Sequence, residues 1–152
     1  MTPLTMAGAT LATRRALVCG ALAVAALVAA APVRAQDPRQ FLVQGIARDW
    51  LALVDAGRYE DSWKAAGAKL RLSASPARWG EAVAKGRAPL GPLVKRTILQ
   101  TQFTRTFPGV PEGDYAVVIF RVAYAKKDDG DETVTLEHEA DGAWRVIGYV
   151  VR

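Results

Sequence analysis

Thiol chemistry, metal ligation and phosphate binding have almost no material in this sequence. Cys19 is the only cysteine and His138 the only histidine among 152 residues. There is no glycine-rich phosphate loop, no G-x-S-x-G elbow and no H-E-x-x-H pair. A zinc site would have to rely on carboxylates, so no metal and no cofactor is expected. Acidic residues are missing from the first 36 positions; Asp37 is the first.

That missing charge divides the chain. Arg14 and Arg15 precede an apolar run from Ala16 to Ala31, Pro32 breaks it, and Val33-Arg34-Ala35 has the small-x-small form of a cleavage site. A basic start, an apolar middle and a small-residue exit are the anatomy of a secretory signal. The run is shorter than the roughly 20 apolar residues of a spanning helix. We therefore expect a signal peptide over 1–35 and one exported domain over 36–152, periplasmic or secreted, with no stable membrane span after cleavage. Thr13-Arg14-Arg15-Ala16-Leu17 resembles a twin-arginine signal, so both general export routes stay open. Cys19 sits near the start of the apolar run, whereas a lipid-modified cysteine would follow it.

Removing residues 1–35 changes the charge. The whole chain is +5, from 20 basic and 15 acidic residues; the leader holds three arginines and no acid, so the remainder is 17 against 15, or +2. The basic residues are scattered among acids and form no stripe, which argues against nucleic acid as a partner.

The first half of the domain has helical spacing. Asp37-Pro38 is a cap followed by a first-turn proline, and Phe41, Leu42, Ile46, Trp50, Leu53 and Val54 recur at three- and four-residue steps. Gly57 ends that helix. A short second helix over Tyr59–Ala66 carries Tyr59 and Trp63, and Ser75-Pro76 opens a third with Trp79, Ala82 and Val83. Ala88-Pro89-Leu90-Gly91-Pro92 is a stiff turn.

The second half alternates with period two. Strands are expected over Leu93–Phe107, Tyr115–Ala125, Thr133–Glu139 and Ala143–Val151, with Lys126–Glu132 as a polar loop. In the first, Leu93, Leu99, Phe103 and Phe107 share one face, and Arg96 lies on the other. The fold class is α+β: three N-terminal helices packed on a four-stranded antiparallel sheet, cone-like.

Register in the last hairpin follows from its turn. A three-residue loop with Gly142 left-handed pairs His138 with Trp144 and Glu137 with Arg145. Val118, Phe120, Val122, Val134, Leu136, Trp144, Val146 and Val150 then face the core. Tyr115, Val117, Ile119, Ile147, Tyr149 and Val151 form an apolar strip on the outer face, which suggests a cover or a partner. A homodimer through this outer sheet face is the leading expectation.

Trp50-Leu51-Ala52-Leu53-Val54-Asp55-Ala56-Gly57-Arg58-Tyr59, Ser62-Trp63, Trp79, Arg87-Ala88-Pro89-Leu90-Gly91 and Asp141-Gly142-Ala143-Trp144-Arg145-Val146-Ile147-Gly148-Tyr149 occur in that order. Together they resemble the bacterial domain-of-unknown-function family 4019. The resemblance implies a small exported protein with a fold similar to nuclear transport factor 2 (cystatin-like). It brings no activity and no catalytic residues.

Two functional classes follow. In the favoured one the domain is a non-catalytic binding or interaction module, taking a small apolar ligand in a helix–sheet pocket or an envelope protein on the outer sheet face. The alternative is a small pocket enzyme of the isomerase or dehydratase type, using a carboxylate base whose pKa burial would tune. Asp49, Asp55, Tyr59, Tyr124 and His138 are its raw material. A structural reading is the plainer one for each: Asp55 as a helix-end residue, the aromatics as core, and His138 packed on Trp144.

Overall fold

The computed structural model describes residues 37–152; the expected leader and its cleavage boundary lie outside the described residues. Four helices come first: α1 (Arg39–Asp55), α2 (Tyr59–Ala65), α3 (Ala68–Ser73) and α4 (Pro76–Arg87). Four strands follow: β1 (Leu93–Thr104), β2 (Tyr115–Tyr124), β3 (Lys127–His138) and β4 (Trp144–Val151). They form one antiparallel sheet in the order β1-β2-β3-β4. The α+β class and the four-stranded sheet stand as expected. The helix count does not, because α3 intervenes between the expected second and third helices.

Local chemistry sets the helix ends. Gly57 has φ +70°, and the N–H groups of Gly57 and Arg58 donate to the carbonyls of Val54 and Leu53 at 3.0 and 2.9 Å. This pair of bonds is a Schellman closure, and the left-handed glycine permits it. Ser75 Oγ accepts from the Arg78 N–H at 3.3 Å, with Pro76 opening α4. Gly67 separates α2 from α3 and donates its N–H to the Val146 carbonyl at 2.7 Å. The α2–α3 turn is thereby tied to the free edge of β4.

The helices cover one face of the sheet. Val43, Leu51 and Val54 of α1 meet Val118, Phe120 and Leu136, all of them fully buried. Each such side chain contributes about 1.5–3 kcal/mol by leaving water. Trp50, Trp79 and Tyr149 join them, with ring centroids 5.6–6.4 Å apart. The indoles stay satisfied: Trp50 Nε1 donates to the Ser62 carbonyl, and Trp79 Nε1 to Ser62 Oγ, at 2.8 and 2.9 Å.

The β3–β4 hairpin has the expected register at its closed end. His138 pairs with Trp144 and Glu137 with Arg145, and Gly142 has φ +83°. Beyond that, the expectation fails by one residue. The pairing shifts between Thr135 and Leu136, leaving Ile147 as an extra residue in β4. A bulge of one residue reverses which face follows. Tyr149 therefore turns into the helix-covered side and Val150 is exposed, opposite to the placement expected for both.

Bulges also rephase β1. Its register against β2 shifts between Leu93 and Lys95 and again between Ile98 and Gln100. Leu99 is left exposed, while Arg96 and Ile98 turn toward the helices. β3 begins six residues before the expected Thr133, at Lys127, so the segment read as a polar loop is strand. Glu132 continues the inward phase of Val134 and Leu136 and is completely buried.

Candidate functional site

The four strands deliver polar side chains to one place beneath α1 and α4. β3 supplies Glu132, β2 Tyr124, β4 Tyr149 and β1 Arg96. The ends of α1 and α4 supply Asp55 and Arg87. Two carboxylates, two guanidiniums and two phenols meet in a region otherwise lined by core residues.

Glu132 is the centre of this group. Its Oε1 accepts from the hydroxyls of Tyr124 and Tyr149 at 2.5 and 2.6 Å, and its Oε2 accepts from Arg96 Nε at 2.5 Å. Arg96 reaches outward as well, donating from both Nη atoms to Asp55 at 2.6 and 3.0 Å. Arg87 Nη2 lies 2.7 Å from Asp55 Oδ1 and donates to Tyr124 Oη at 3.2 Å. The guanidinium also sits 5.3 Å from the centre of the Tyr124 ring. Buried charges are tolerated when paired and hydrogen-bonded in this way.

The protonation states follow from the geometry. Burial pushes the Asp55 carboxyl up, but hydrogen bonds from Arg96 and Arg87 outweigh it and hold the pKa below the ordinary 3.8. Burial and the Glu132 carboxylate together push Tyr124 up to about 12. The same two causes raise Tyr149 further. Burial opposes the charge on Arg96, yet Asp55 and Glu132 raise its pKa well above 12.5. At neutral pH Asp55 is a carboxylate, both phenols are protonated and both guanidiniums are charged.

A cleft of about 380 Å³ opens beside this network, between the end of α1, the last turns of α4 and the start of β1. Val54, Ala84, Pro92 and Leu93 supply apolar wall, Tyr59 an aromatic side, and Asp55 and Arg87 a polar end. The size is within the usual range of small-molecule sites, about 300–1,000 Å³. Among the described residues, Arg87 Nη1 is the buried side-chain nitrogen that lacks a hydrogen-bond partner.

Of the residues singled out from sequence, Asp55 and Tyr59 share the cleft, and Asp55 and Tyr124 are linked through Arg87. Asp49 lies elsewhere, on a recess with Ile46, Trp50 and Leu53. His138 is remote from the network: it is exposed, stacks on Trp144 at 5.1 Å, and has Nε2 2.9 Å from the Gly142 carbonyl. Glu132, Arg87 and Arg96 were not anticipated. The period-two phase of Val134 and Leu136, carried back to Glu132, was the signal available for the first of them.

The outer strip loses members. Tyr149 belongs to the inner face. Tyr115 is 1% exposed, roofed by the 105–114 loop, with its hydroxyl donating to the Pro111 carbonyl at 2.8 Å and Phe107 edge-on at 5.6 Å. Val151 turns inward with Tyr149, and Ile147 lies close to Gly67. Val117 and Ile119 remain half-buried on that face. No helix among the described residues is long and apolar enough to cross a membrane.

Fold and site together define a small α+β domain with a paired polar network beneath its helices and a cleft at the network's edge. The model of the DUF4019 family, described as "protein of unknown function", matches residues 46–149, and the chain belongs to that family. No curated protein matches. Among solved structures, Aln2 from a Streptomyces species is similar at 12% identity and a TM-score of 0.47, over 77% of this chain and 92% of that one.

Proposed function

We propose that the domain is a non-catalytic binding module of the cell envelope, with its ligand in the cleft beside Asp55, Tyr59 and Arg87. The observation that carries this reading is the resting state of the network. An acid–base centre needs a group poised near the working pH. Asp55 is held ionised by two guanidiniums, Tyr124 is pushed up to about 12, and Glu132 is sealed from solvent. These groups fix the wall of a site and are poorly suited to move protons through it. The pocket-enzyme alternative had required a carboxylate base tuned upward by burial.

The same proposal includes export. Residues 1–35 have the composition of a cleavable signal, which supports a periplasmic or secreted location. A kinship with the nuclear transport factor 2-like folds is part of this reading and rests on the order of elements. The outer sheet face is the weaker of the two binding surfaces expected from sequence, because Tyr115, Tyr149 and Val151 do not stand free on it.

Recovery of the protein from its native envelope, followed by mass spectrometry under non-denaturing conditions, tests the reading. We expect a mature chain beginning at Gln36 that carries a small-molecule adduct, and loss of the adduct in Ala84→Trp, which fills the cleft from an exposed helix position. A ligand-free protein that turns over small carbonyl compounds would contradict it.

A further inference from the structure

A second recess, of about 370 Å³, lies between α1, the end of α2 and β4. Its walls are Ile46, Trp50 and Leu53 of α1, Ala65 of α2 and Val146 of β4, with Asp49 beside them. Asp49 stands three residues after Ile46 and four before Leu53, so the three share one side of the helix. Leu42, 54% exposed, continues that side one turn earlier. Two wall groups that could have met a polar ligand are already engaged. Trp50 Nε1 donates to the Ser62 carbonyl at 2.8 Å, and the Val146 carbonyl accepts from the Gly67 N–H at 2.7 Å.

Asp49 is therefore the charge that a ligand meets there. It is exposed and, among the described residues, forms no ion pair. Lys64, next to Ala65, is committed to Glu60 at 2.7 Å, and Arg71 to the carbonyls of Lys64 and Ala66 at 3.2 and 2.9 Å. An anion would be repelled by Asp49. A neutral body would strip water from the carboxylate without replacing it, which is unfavourable. A cationic head replaces that water with a charge-assisted hydrogen bond, and an apolar body attached to it covers Ile46, Leu53 and Val146. We propose that this recess is a second binding site, for a small apolar molecule bearing one primary ammonium group, with Asp49 as its anchor. The site is separate from the cleft beside Arg87 and does not depend on the reading given for that cleft.

Three probes of one size and different charge test it: benzylammonium, benzyl alcohol and benzoate, titrated into the full chain and followed at the methyls of Ile46, Leu53, Ala65 and Val146. Benzylammonium is expected to shift them saturably. Benzyl alcohol is expected to bind about tenfold more weakly, as loss of a charge-assisted hydrogen bond implies, and benzoate more weakly still. Asp49→Asn keeps the shape of the recess and removes its charge. It is expected to weaken benzylammonium about tenfold and to leave benzyl alcohol unchanged, a pattern that loss of the fold would not produce. Benzyl alcohol or benzoate binding as tightly as benzylammonium would overturn the proposal. So would an unchanged benzylammonium affinity in Asp49→Asn, or silence of all three probes at these methyls. Shifts confined to Val54, Ala84 and Leu93 would also overturn it, because they would place the probe in the cleft beside Arg87 and leave the binding reading of that cleft standing.

Discussion

The Tyr149 hydroxyl donates to the Glu132 carboxylate across the β3–β4 pair, at 2.6 Å. The contact exists because Ile147 is bulged out of β4 and turns Tyr149 inward. It brings a strand-end aromatic, expected on the surface, into the ion network that supports the cleft.

Removing the central carboxylate strands its donors. Glu132→Leu leaves Arg96 with Asp55 as its one partner, Tyr149 with none from this group, and Tyr124 with only the Arg87 donor. A loss of about 3–5 kcal/mol is expected from urea denaturation. The double variant Glu132→Leu/Arg96→Met is expected to recover part of that loss, because it removes the uncompensated charge.

The tyrosines report on the same network in alkali. Tyr124 has a folded-state pKa of about 12 against an ordinary 10.0, so its contribution to stability is complete below pH 10 and disappears as pH rises through 12. Absorbance titration is expected to show phenol ionising near pH 12. In Glu132→Gln that step is expected to move downward, since the carboxylate is one of its two causes.

Ser62 is a small residue with a large share of the helix packing. It is fully buried, accepts from Trp79 Nε1 at 2.9 Å and donates to the Tyr59 carbonyl at 2.7 Å. Ser62→Ala is expected to cost about 1–3 kcal/mol, the penalty of an unsatisfied indole, measured as a shift in the denaturation midpoint with unchanged slope.

Gly67 lies too close to β4 for a side chain. A Cβ there would be 2.9 Å from both Glu139 Oε1 and Ile147 Cγ2 and 3.3 Å from Arg145 Cβ. Gly67→Ala is expected to destabilise by about 1–3 kcal/mol through overpacking, and amide exchange should quicken first in α3.

A homodimer face to face on the sheet would have Val117 and Ile119 as its main apolar contacts. Stable interfaces bury about 800 Å² per partner around an apolar centre. Light scattering on the full chain is therefore expected to give a monomer, and a concentration-independent dimer would restore the sequence-based expectation.

Much of the fold was legible because helix caps and strand alternation are local. Ser75-Pro76, Gly57 and Gly142 set their ends as their chemistry dictates, and the register at the closed end of the hairpin followed from a three-residue loop with Gly142 left-handed. The site was less legible because it depends on phase errors. Bulges at Ile147 and near Leu99 reverse which residues face inward, and alternation assumes no such errors. Gly148, a glycine within a strand, was the one local hint. Glu132 was hidden by composition: the acid-rich run from Asp128 to Glu132 reads as solvated loop until pairing with Tyr124 and Tyr149 gives it partners.

The binding-module reading turns on Asp55 being a fixed anion and not a base. A carbon-13 NMR titration of the Asp55 carboxyl tests this directly. Arg96 and Arg87 should hold its midpoint below 3.8, and the stability it contributes should be present above the unfolded value and be lost only as pH falls through the folded one. A midpoint near pH 6–7, where a general base works, would contradict the binding-module reading and return the domain to the pocket enzymes.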